Sequence, residues 1–299
     1  MKTDIFNKVW ATAKGLLPFY LFTLLPLMTA CSNDDYLGGH ATTDGAGAKM
    51  NVTSQISAST DASLAWKAGD VIGIAAGYGQ YDATARNRQY VCQADGKTFV
   101  QSVSYPMYVK GATDIVAYWP FTGTDGAEPT LTLDTRNQNN VTDYLFAKAT
   151  GVTPENGSNV NLVFDYALAR VQFNITTPAG ESIKECQLQG FAQQATVSPY
   201  TLETTLDVPE DLIVKGSAIT TLKLKLIPQT VSASAAVPAR LVLIGTIRSY
   251  TIDMSQLQLK AGALILADIN VTDGIGTVDF VPGGSAWTDS GLGGNVTAE

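Results

Sequence analysis

Histidine and cysteine are scarce in this chain, and their scarcity excludes much enzyme chemistry. Among 299 residues there is one histidine, His40, and there are three cysteines. His40 lies among small polar residues, where we expect no folded core. Triads of the Ser-His-Asp or Cys-His kind need a histidine inside the fold, and zinc sites need a fuller set of Cys and His ligands. The sequence therefore nominates no catalytic residue, no cofactor-binding residue and no metal ligand, and it predicts a protein that is not an enzyme.

Positive charge is also scarce. The chain has 19 Lys and Arg against 27 Asp and Glu, for a net charge of −8, and charged residues make up only 15% of it. Three of the lysines, Lys2, Lys8 and Lys14, lie within residues 1–30, so the chain without that segment is more acidic still. Nucleic-acid binding needs a basic stripe along one face. We therefore expect no nucleic-acid partner.

No hydrophobic run is long enough to span a membrane. The run from Leu16 to Ala30 is interrupted by Pro18 and Pro26, whereas a spanning helix needs about 20 apolar residues. With lysines before it and small residues at its end, this run predicts a secretory signal peptide over residues 1–30. Residues 27–31 (Leu-Met-Thr-Ala-Cys) resemble a bacterial lipobox, which implies fatty acyl (palmitate) chains on Cys31. A cleaved signal peptide followed by a chance cysteine is the alternative.

The residues after Cys31 predict a location and a spacer. Ser32–Asp35 (Ser-Asn-Asp-Asp) resembles the short acidic signal that takes Bacteroidota lipoproteins to the outer face of the outer membrane. Lipid chains on Cys31 would then anchor the protein in the outer membrane at the cell surface. Residues 31–48 are small and polar, and we expect them to form a flexible tether. The other two cysteines, Cys92 and Cys186, are expected to be free buried thiols rather than a disulfide.

From Met50 onward, apolar and polar residues alternate with period two. Residues 160–166, 169–175 and 222–226 show the alternation most clearly. It is typical of antiparallel sheets with one packed and one wet face, and no long segment keeps a helical period. Many short strands between turns predict an all-β chain with two tandem antiparallel β-sandwich domains. We place the N-terminal domain at residues 49–178 and the C-terminal domain at residues 179–299.

Several segments resemble the fimbrillin-like lipoproteins of Bacteroidota, in the order in which that family has them. They are Trp66–Ile74 (WKAGDVIGI), Ile115–Phe121 (IVAYWPF), Asp143–Ala147 (DYLFA), Val160–Phe173, Leu226–Gln229 (LIPQ) and Trp287. The resemblance covers nearly all of the chain beyond the tether. It implies that both β-sandwich domains are transthyretin-like. It also implies a subunit of a type V pilus, a fimbrium that mediates cell adhesion.

The resemblance also implies a way of assembling. In the stalk subunits of that family, a protease cuts after an arginine and removes the first strand, and the groove then accepts a strand of another subunit. Here the first strand would be Met50–Ser57, and Ala58–Trp66 contains no arginine; the first arginines are Arg86 and Arg88. This departure favours a tip, accessory or anchor subunit. The implied partners are other fimbrial subunits through strand addition, the outer membrane through the lipid anchor, and ligands on host or bacterial surfaces.

Two other functions stay open at this stage. An exposed aromatic row could stack on sugar rings, which would make the chain a carbohydrate-binding outer-membrane surface lipoprotein. The candidates cluster in one third of the chain: Trp66, Tyr78, Tyr81, Tyr90, Tyr105, Tyr108, Tyr118 and Trp119. For Trp66 a core position is the alternative. An anchored hydrolase would need paired carboxylates that only the fold can bring together. The oxygen-rich segment Asp134–Asp143 is either a calcium loop or a solvated loop.

Overall fold

The computed structural model describes residues 48–57, 65–76, 86–102, 107–109, 111–153, 159–231, 236–272, 275–282 and 296–298. These residues form strands and turns without a helix, which confirms the all-β prediction. This part of the chain accordingly contains no helix suited to crossing a membrane. The predicted signal peptide, the lipid site Cys31, His40 and Trp287 all lie outside the described residues.

The strands fall into two bodies, which we define as residues 48–166 and 169–298. Those of the first body are β1 Ala48–Lys49, β2 Asn51–Ile56, β3 Val71–Ala76, β4 Arg88–Cys92, β5 Thr98–Gln101, β6 Tyr108–Val109, β7 Thr113–Trp119, β8 Leu131–Asp134, β9 Leu145–Val152 and β10 Asn159–Tyr166.

The strands of the second body continue the chain order. They are β11 Ala169–Thr176, β12 Ile183–Phe191, β13 Gln194–Val197, β14 Thr204–Leu206, β15 Glu210–Gly216, β16 Thr221–Leu226, β17 Gln229–Thr230, β18 Arg240–Gly245, β19 Ser249–Asp253, β20 Gln258–Leu259, β21 Leu264–Thr272, β22 Ile275–Pro282 and β23 Val296–Ala298.

The first body is built on a sheet that closes on itself. Its strands follow the order β10-β2-β5-β4-β3-β7-β9, and β9 pairs back onto β10. One apolar cluster fills the interior, including Ile72, Ile74, Phe99 and Phe164, each nearly inaccessible to solvent. Strand β3 is packed on both faces because Gly73 lets Tyr118 approach: a Cβ on Gly73 would lie 2.4 Å from the Tyr118 ring. The run Val71–Ala75 is therefore a buried strand, as its sequence predicts.

The second body packs two sheets face to face. One has the order β16-β11-β21-β22 and the other β19-β18-β12-β15-β23. The alternating residues of β11 and β16 point into the same core, where Phe173 pairs across the strands with Leu222. In β12 a bulge falls between Leu188 and Phe191, and Gly190 occupies it with a φ of +81°. Apolar faces buried between two sheets are what the period-two alternation predicts.

Two strand pairs are parallel, which the alternation did not predict. Strand β2 runs parallel to β10, with Asn51 opposite Asn159 and Ile56 opposite Phe164. Strand β11 runs parallel to β21, from Arg170 opposite Leu264 onward. Parallel neighbours need a long connection, and here most of each body lies between the paired strands.

A small bridging sheet joins the two bodies. Its order is β14-β13-β8, so β8 of the first body pairs antiparallel with β13 of the second. Beneath it lies a third apolar cluster with members from both bodies: Tyr118, Leu131, Leu133, Leu168, Ala195, Val197 and Ile227. Beside the bridging sheet, the buried Gln138 amide donates to the Lys225 carbonyl at 2.9 Å and accepts from the Lys225 amide at 2.9 Å.

A buried charge cluster adds to this junction. Asp143 accepts from Arg170 at 3.2 Å and from Lys225 at 3.0 Å, and all three side chains are largely buried. The Arg170 guanidinium also stacks on the Tyr166 ring, 4.2 Å from its centroid. Because these contacts join residues before and after Ala167, they couple the two cores.

The division of the chain into residues 49–178 and 179–299 stays a prediction. The apolar cluster of the first body ends at Tyr166, and that of the second begins at Ala169. Strand β11 lies before the boundary expected near Thr177–Gly180, but it pairs with β16 and β21. We therefore propose that the boundary lies at Ala167–Leu168. Pairing also begins at Ala48, the last residue of the expected tether.

Candidate functional site

The first strand, β2, closes the sheet of the first body. It pairs in parallel with β10 along its whole length and antiparallel with β5, where Val52 lies opposite Phe99. Two backbone bonds hold its ends: the Met50 amide donates to Met107 O at 2.9 Å, and the Ser57 amide donates to Phe164 O at 2.8 Å. The strand predicted at Met50–Ser57 is thus present and paired on both sides.

One face of β2 points into the core. Its residues alternate between exposed and buried, so Val52 and Ser54 are nearly inaccessible while Asn51, Thr53 and Gln55 are exposed. The inward face is only moderately apolar, because the polar Ser54 lies between Val52 and the half-buried Ile56. Backbone pairing therefore contributes a large share of what holds this strand.

The buried hydroxyl of Ser54 has a hydrogen-bond partner in the core. The Trp66 indole N–H donates to the Ser54 hydroxyl oxygen at 2.9 Å, and both side chains are buried. In addition, the Ser54 backbone amide donates to Lys97 O at 2.9 Å. An indole N–H buried without an acceptor costs about 1–3 kcal/mol. The sequence analysis did not predict this contact. The only signal for it in the sequence is a serine at an inward-facing position of an alternating strand.

Trp66 is a core residue rather than a surface platform. Its ring makes edge-to-face contacts with Phe99 at 5.3 Å, Phe164 at 5.1 Å and Trp119 at 6.2 Å between centroids. If β2 left, Phe99 and Phe164 would lose their neighbours on that side, and Trp66 would lose its acceptor. An apolar groove flanked by the free edges of β5 and β10 would then be open.

The other aromatic candidates form no exposed row among the described residues. Tyr90 and Tyr118 are buried and Trp119 is partly buried. Burial raises the pKa of Tyr118 to about 12, although hydrogen bonds with the Thr122 carbonyl and Asn87 lower it. Tyr78, Tyr81 and Tyr105, and the side chain of Tyr108, lie outside the described residues.

The acid groups of the segment Asp134–Asp143 are already bound by cations. Asp134 receives two hydrogen bonds from the Arg136 guanidinium, at 3.0 and 2.6 Å, which lower the pKa of that carboxyl despite partial desolvation. Asp143 is bound by Arg170 and Lys225. Within the described ranges no group of three or more His, Cys, Asp or Glu side chains is placed to hold a metal ion. The geometry gives this segment a structural role.

The two described cysteines are free and buried, as predicted. Burial raises the pKa of the Cys186 thiol to about 12, and the nearby Glu185 raises it further. Burial also raises the pKa of Cys92, with Asp70 and Asp95 adding to the effect. A thiol with a raised pKa is a poor nucleophile at neutral pH. Neither cysteine is prepared for catalysis.

The first arginines of the chain, Arg86 and Arg88, lie beyond β3. Arg88 lies in β4 with 6% of its surface exposed, and it forms an ion pair with Asp125 at 2.9 Å. Arg86 contacts Glu128 at 3.5 Å. A cut after either residue would take β3 away together with β2, and β3 carries Ile72 and Ile74 of the core.

The chain is similar to known proteins over most of its length. A family model described as fimbrillin-like matches residues 56–283. The match begins at the last residue of β2, so it rests on the rest of the first body and on the second body. None of the curated proteins matches the chain.

Three solved structures share the fold. A "putative cell adhesion protein" from Bacteroides uniformis has 20% identity and a TM-score of 0.55, covering 80% of this chain and 98% of that one. Another so described, from Bacteroides ovatus, has 18% identity and a TM-score of 0.55, covering 82% and 100%. The tip fimbrial protein Mfa3 from Porphyromonas gingivalis, with a C-terminal truncation, has 10% identity and a TM-score of 0.50, covering 80% and 99%.

Proposed function

The chain belongs to the fimbrillin-like family, and from that premise we propose that it is a non-enzymatic subunit of a cell-surface fimbrium. In this proposal it assembles with other fimbrial subunits by strand addition and takes part in adhesion. The observation that carries the proposal is the position of β2 between β5 and β10. This strand is the first long strand of the described chain, and it closes a sheet that would otherwise expose two edges and an apolar groove.

Strand addition needs a slot that binds both the backbone and the side chains of the incoming strand. Here the slot is the position that β2 occupies between β5 and β10. The edges of β5 and β10 supply backbone donors and acceptors along both sides of the β2 seat. Inward pockets at the positions of Val52, Ser54 and Ile56 supply the side-chain pattern. An incoming strand with small apolar residues at alternate positions would satisfy both requirements. While β2 is seated, the same slot is blocked, so early polymerisation is prevented.

We propose that the subunit is of the tip, accessory or anchor type. Residues 50–66 contain no arginine, and Arg88 is buried in an ion pair. A protease that cuts after arginine therefore has no site that would release β2 alone. As long as β2 stays in place, the protein would end or anchor a polymer rather than extend it through this slot.

The anchor belongs to the same proposal. Acyl chains on Cys31 and the polar residues that follow would hold the folded bodies at the outer surface of the outer membrane. Two or more acyl chains are enough for stable anchoring, since each buried CH₂ contributes about 0.8 kcal/mol. Mass spectrometry of the membrane fraction would find acylated Cys31 as the mature N-terminus, and a Cys31→Ser variant would be missing from the outer-membrane fraction.

Exposure of cells to an arginine-specific protease tests the subunit type. We expect the wild-type chain to keep Cys31 as its N-terminus, because the first arginine after β2 is Arg86, which lies beyond β3. A variant Ala58→Arg places an arginine directly after the strand and is expected to be cut there. Recovery of wild-type chains that begin after Arg86 would contradict the tip, accessory or anchor assignment. Absence of the protein from fimbrial fractions would contradict the assembly role.

The slot itself is tested with the cut Ala58→Arg protein. Once the cleaved strand has dissociated, a synthetic peptide with the sequence of residues 48–57 should bind in its place and restore the tryptophan fluorescence of the intact protein. The same peptide with aspartate at the position of Val52 is the matched control and should not bind. If the cut protein ignores both peptides, β2 is not exchangeable.

A further inference from the structure

Strand β14 in the bridging sheet is an open edge. It pairs with β13 on one side, with Leu206 opposite Ala195 and Thr204 opposite Val197. Among the described strands none lies along its other side. All three of its side chains are exposed, and exposure continues through Glu210 and Asp211. This edge belongs to the second body and is separate from the seat of β2.

The backbone groups of this edge are set in position for a neighbour. The Ser198 amide donates to Glu203 O at 2.9 Å, and the Asp207 amide donates to Gln194 O at 3.0 Å. In an antiparallel pair these bonds alternate along the strand. The backbone N–H and C=O groups of Glu203, Thr205 and Asp207 therefore face β13. Those of Thr204 and Leu206 face outward. The hairpin is fixed at its turn, where the Leu202 amide donates to Ser198 O at 2.9 Å.

The edge also carries exposed apolar side chains. Leu206 lies on the same face of the sheet as its partner Ala195, which is fully buried in the cluster between the bodies. Yet Leu206 is 40% exposed, and Val208, two residues further on, is 80% exposed. A strand added beside β14 would cover Leu206 and extend the buried face by one strand. The edge therefore offers apolar contact as well as hydrogen bonds.

The charge around this edge has one sign. Residues 203–211 contain Glu203, Asp207, Glu210 and Asp211 and no Lys, Arg or His. In the described part of the chain none of these four forms an ion pair; Asp211 accepts a hydrogen bond from the Gln189 amide at 3.0 Å. Arg136 is attracted by Asp207 and Glu210, but its guanidinium is bound to Asp134 at 2.6 Å. A partner with positive charge would complement this edge.

We propose that the outer edge of β14 binds an extended, lysine- or arginine-bearing segment of another protein by strand addition. A second copy of this chain is a poor occupant, because the chain has a net charge of −8 and the edge would meet like charge. Short length, acidic flanks and Pro209 protect the edge from unselective pairing. The same acidic flanks select a basic strand. This interaction goes beyond the role of the β2 slot and does not depend on it.

Synthetic peptides test the proposal on the intact protein. One short peptide alternates lysine with valine, and its matched control alternates glutamate with valine. We expect the lysine peptide to bind, with affinity falling as salt rises, and the glutamate peptide not to bind. Nuclear magnetic resonance should show new hydrogen-exchange protection at the Thr204 and Leu206 amides and no change at those of β2. Protection confined to β2, or equal binding of both peptides, would overturn the proposal.

Two sets of variants separate the backbone from the charge. Leu206→Pro removes an outward N–H and leaves the bonds to β13 in place, so binding should weaken about tenfold with little loss of folded protein. The pair Asp207→Asn and Glu210→Gln should weaken binding and flatten its salt dependence, even if the proline variant fails to fold. Asp279→Asn, on the exposed face of β22, is the control and should bind like wild type. Unchanged binding by the charge variants would overturn the choice of a basic partner.

Discussion

The two bodies of the chain differ in whether the edges of their sheets are paired. In the first body the seven strands of the main sheet each have a neighbour on both sides, and β2 provides the last of these pairings. In the second body and the bridging sheet, strands end in edges, such as β14, that no described strand covers. A closed sheet can take a partner strand only by giving up one of its own. An open edge can take one by simple addition.

This difference predicts two kinds of association from one chain. Exchange at the β2 slot is slow and conditional, because a seated strand must first leave. Addition at β14 is reversible and needs no prior change, and electrostatic attraction gives it speed. Three perturbations break or sharpen the contrast, beginning with the one that should have the largest effect.

A charge on the inner face of β2 should open the first body alone. Val52→Asp would place a carboxylate between Phe99 and Val160 in a core position that is 1% exposed. Burying such a group without a partner costs several kcal/mol, so β2 should leave its seat. Thr53→Asp, on the exposed face of the same strand, is the matched control. Hydrogen-exchange mass spectrometry should show lost protection in β5 and β10 for the first variant only. Equal loss in the second body would mean that the two bodies fold as one unit.

Loss of the carboxylate at the junction should uncouple the bodies. Asp143→Asn would leave Arg170 and Lys225 close together without their shared anion. Removing one partner of a buried ion pair costs about 3–5 kcal/mol. Urea unfolding should then separate into two transitions. Glu128→Gln, which removes the exposed contact with Arg86, should change stability by less than about 1 kcal/mol. A single unshifted transition in the Asp143 variant would show that the bridging sheet suffices.

Acid should loosen the hairpin β18–β19 of the second body. Desolvation raises the pKa of Glu181, but hydrogen bonds from the Ile247 amide, Thr246, the Ser182 amide and Tyr250 outweigh it and lower the pKa to about 2. Because protonation favours the unfolded form here, this stabilisation is complete above about pH 4.5 and is lost as the pH falls towards about 2.

The readout for this smallest effect is the hairpin β18–β19. Amide signals of Ile247 and Arg248 should shift over that pH range in the wild type. They should be insensitive to pH in Glu181→Gln, whereas Glu203→Gln, on the other hairpin, should behave like wild type. A shift that persists in the Glu181 variant would assign the effect to another carboxylate.

Local pattern predicted much of this fold. The alternation of Val160–Tyr166 is the observed burial pattern of β10, and the alternation of Ala169–Ile175 holds in β11 except at Arg170, which is buried. Strand β7 ends at Trp119 before Pro120, and the turn at Asp95–Lys97 contains Gly96 with a φ of +64°. These features depend on neighbours in the chain, so the sequence contains them directly.

The alternation of apolar and polar residues does not predict which distant strands pair with each other. A period of two tells which face of a strand is buried but does not identify its neighbour, so the parallel pairs β2–β10 and β11–β21 were not foreseen. The same holds for β8, whose partner β13 belongs to the other body. For the site, the position of β2 was predicted. The contact of Ser54 with Trp66 and the open edge of β14 appear only once the chain is folded.

The seam between β2 and β10 also sets a time order for folding. Thr53 and Asn161, whose side chains meet across it, are 108 residues apart in the chain. A strand that emerges first must wait for the last strand of its own body before it has a parallel neighbour, and such distant closures are slow. We expect the seam to form late when a newly exported chain folds. During that interval any strand of matching pattern can compete with β2 for pairing with β10. Which strand binds there then depends on the order of events as well as on affinity.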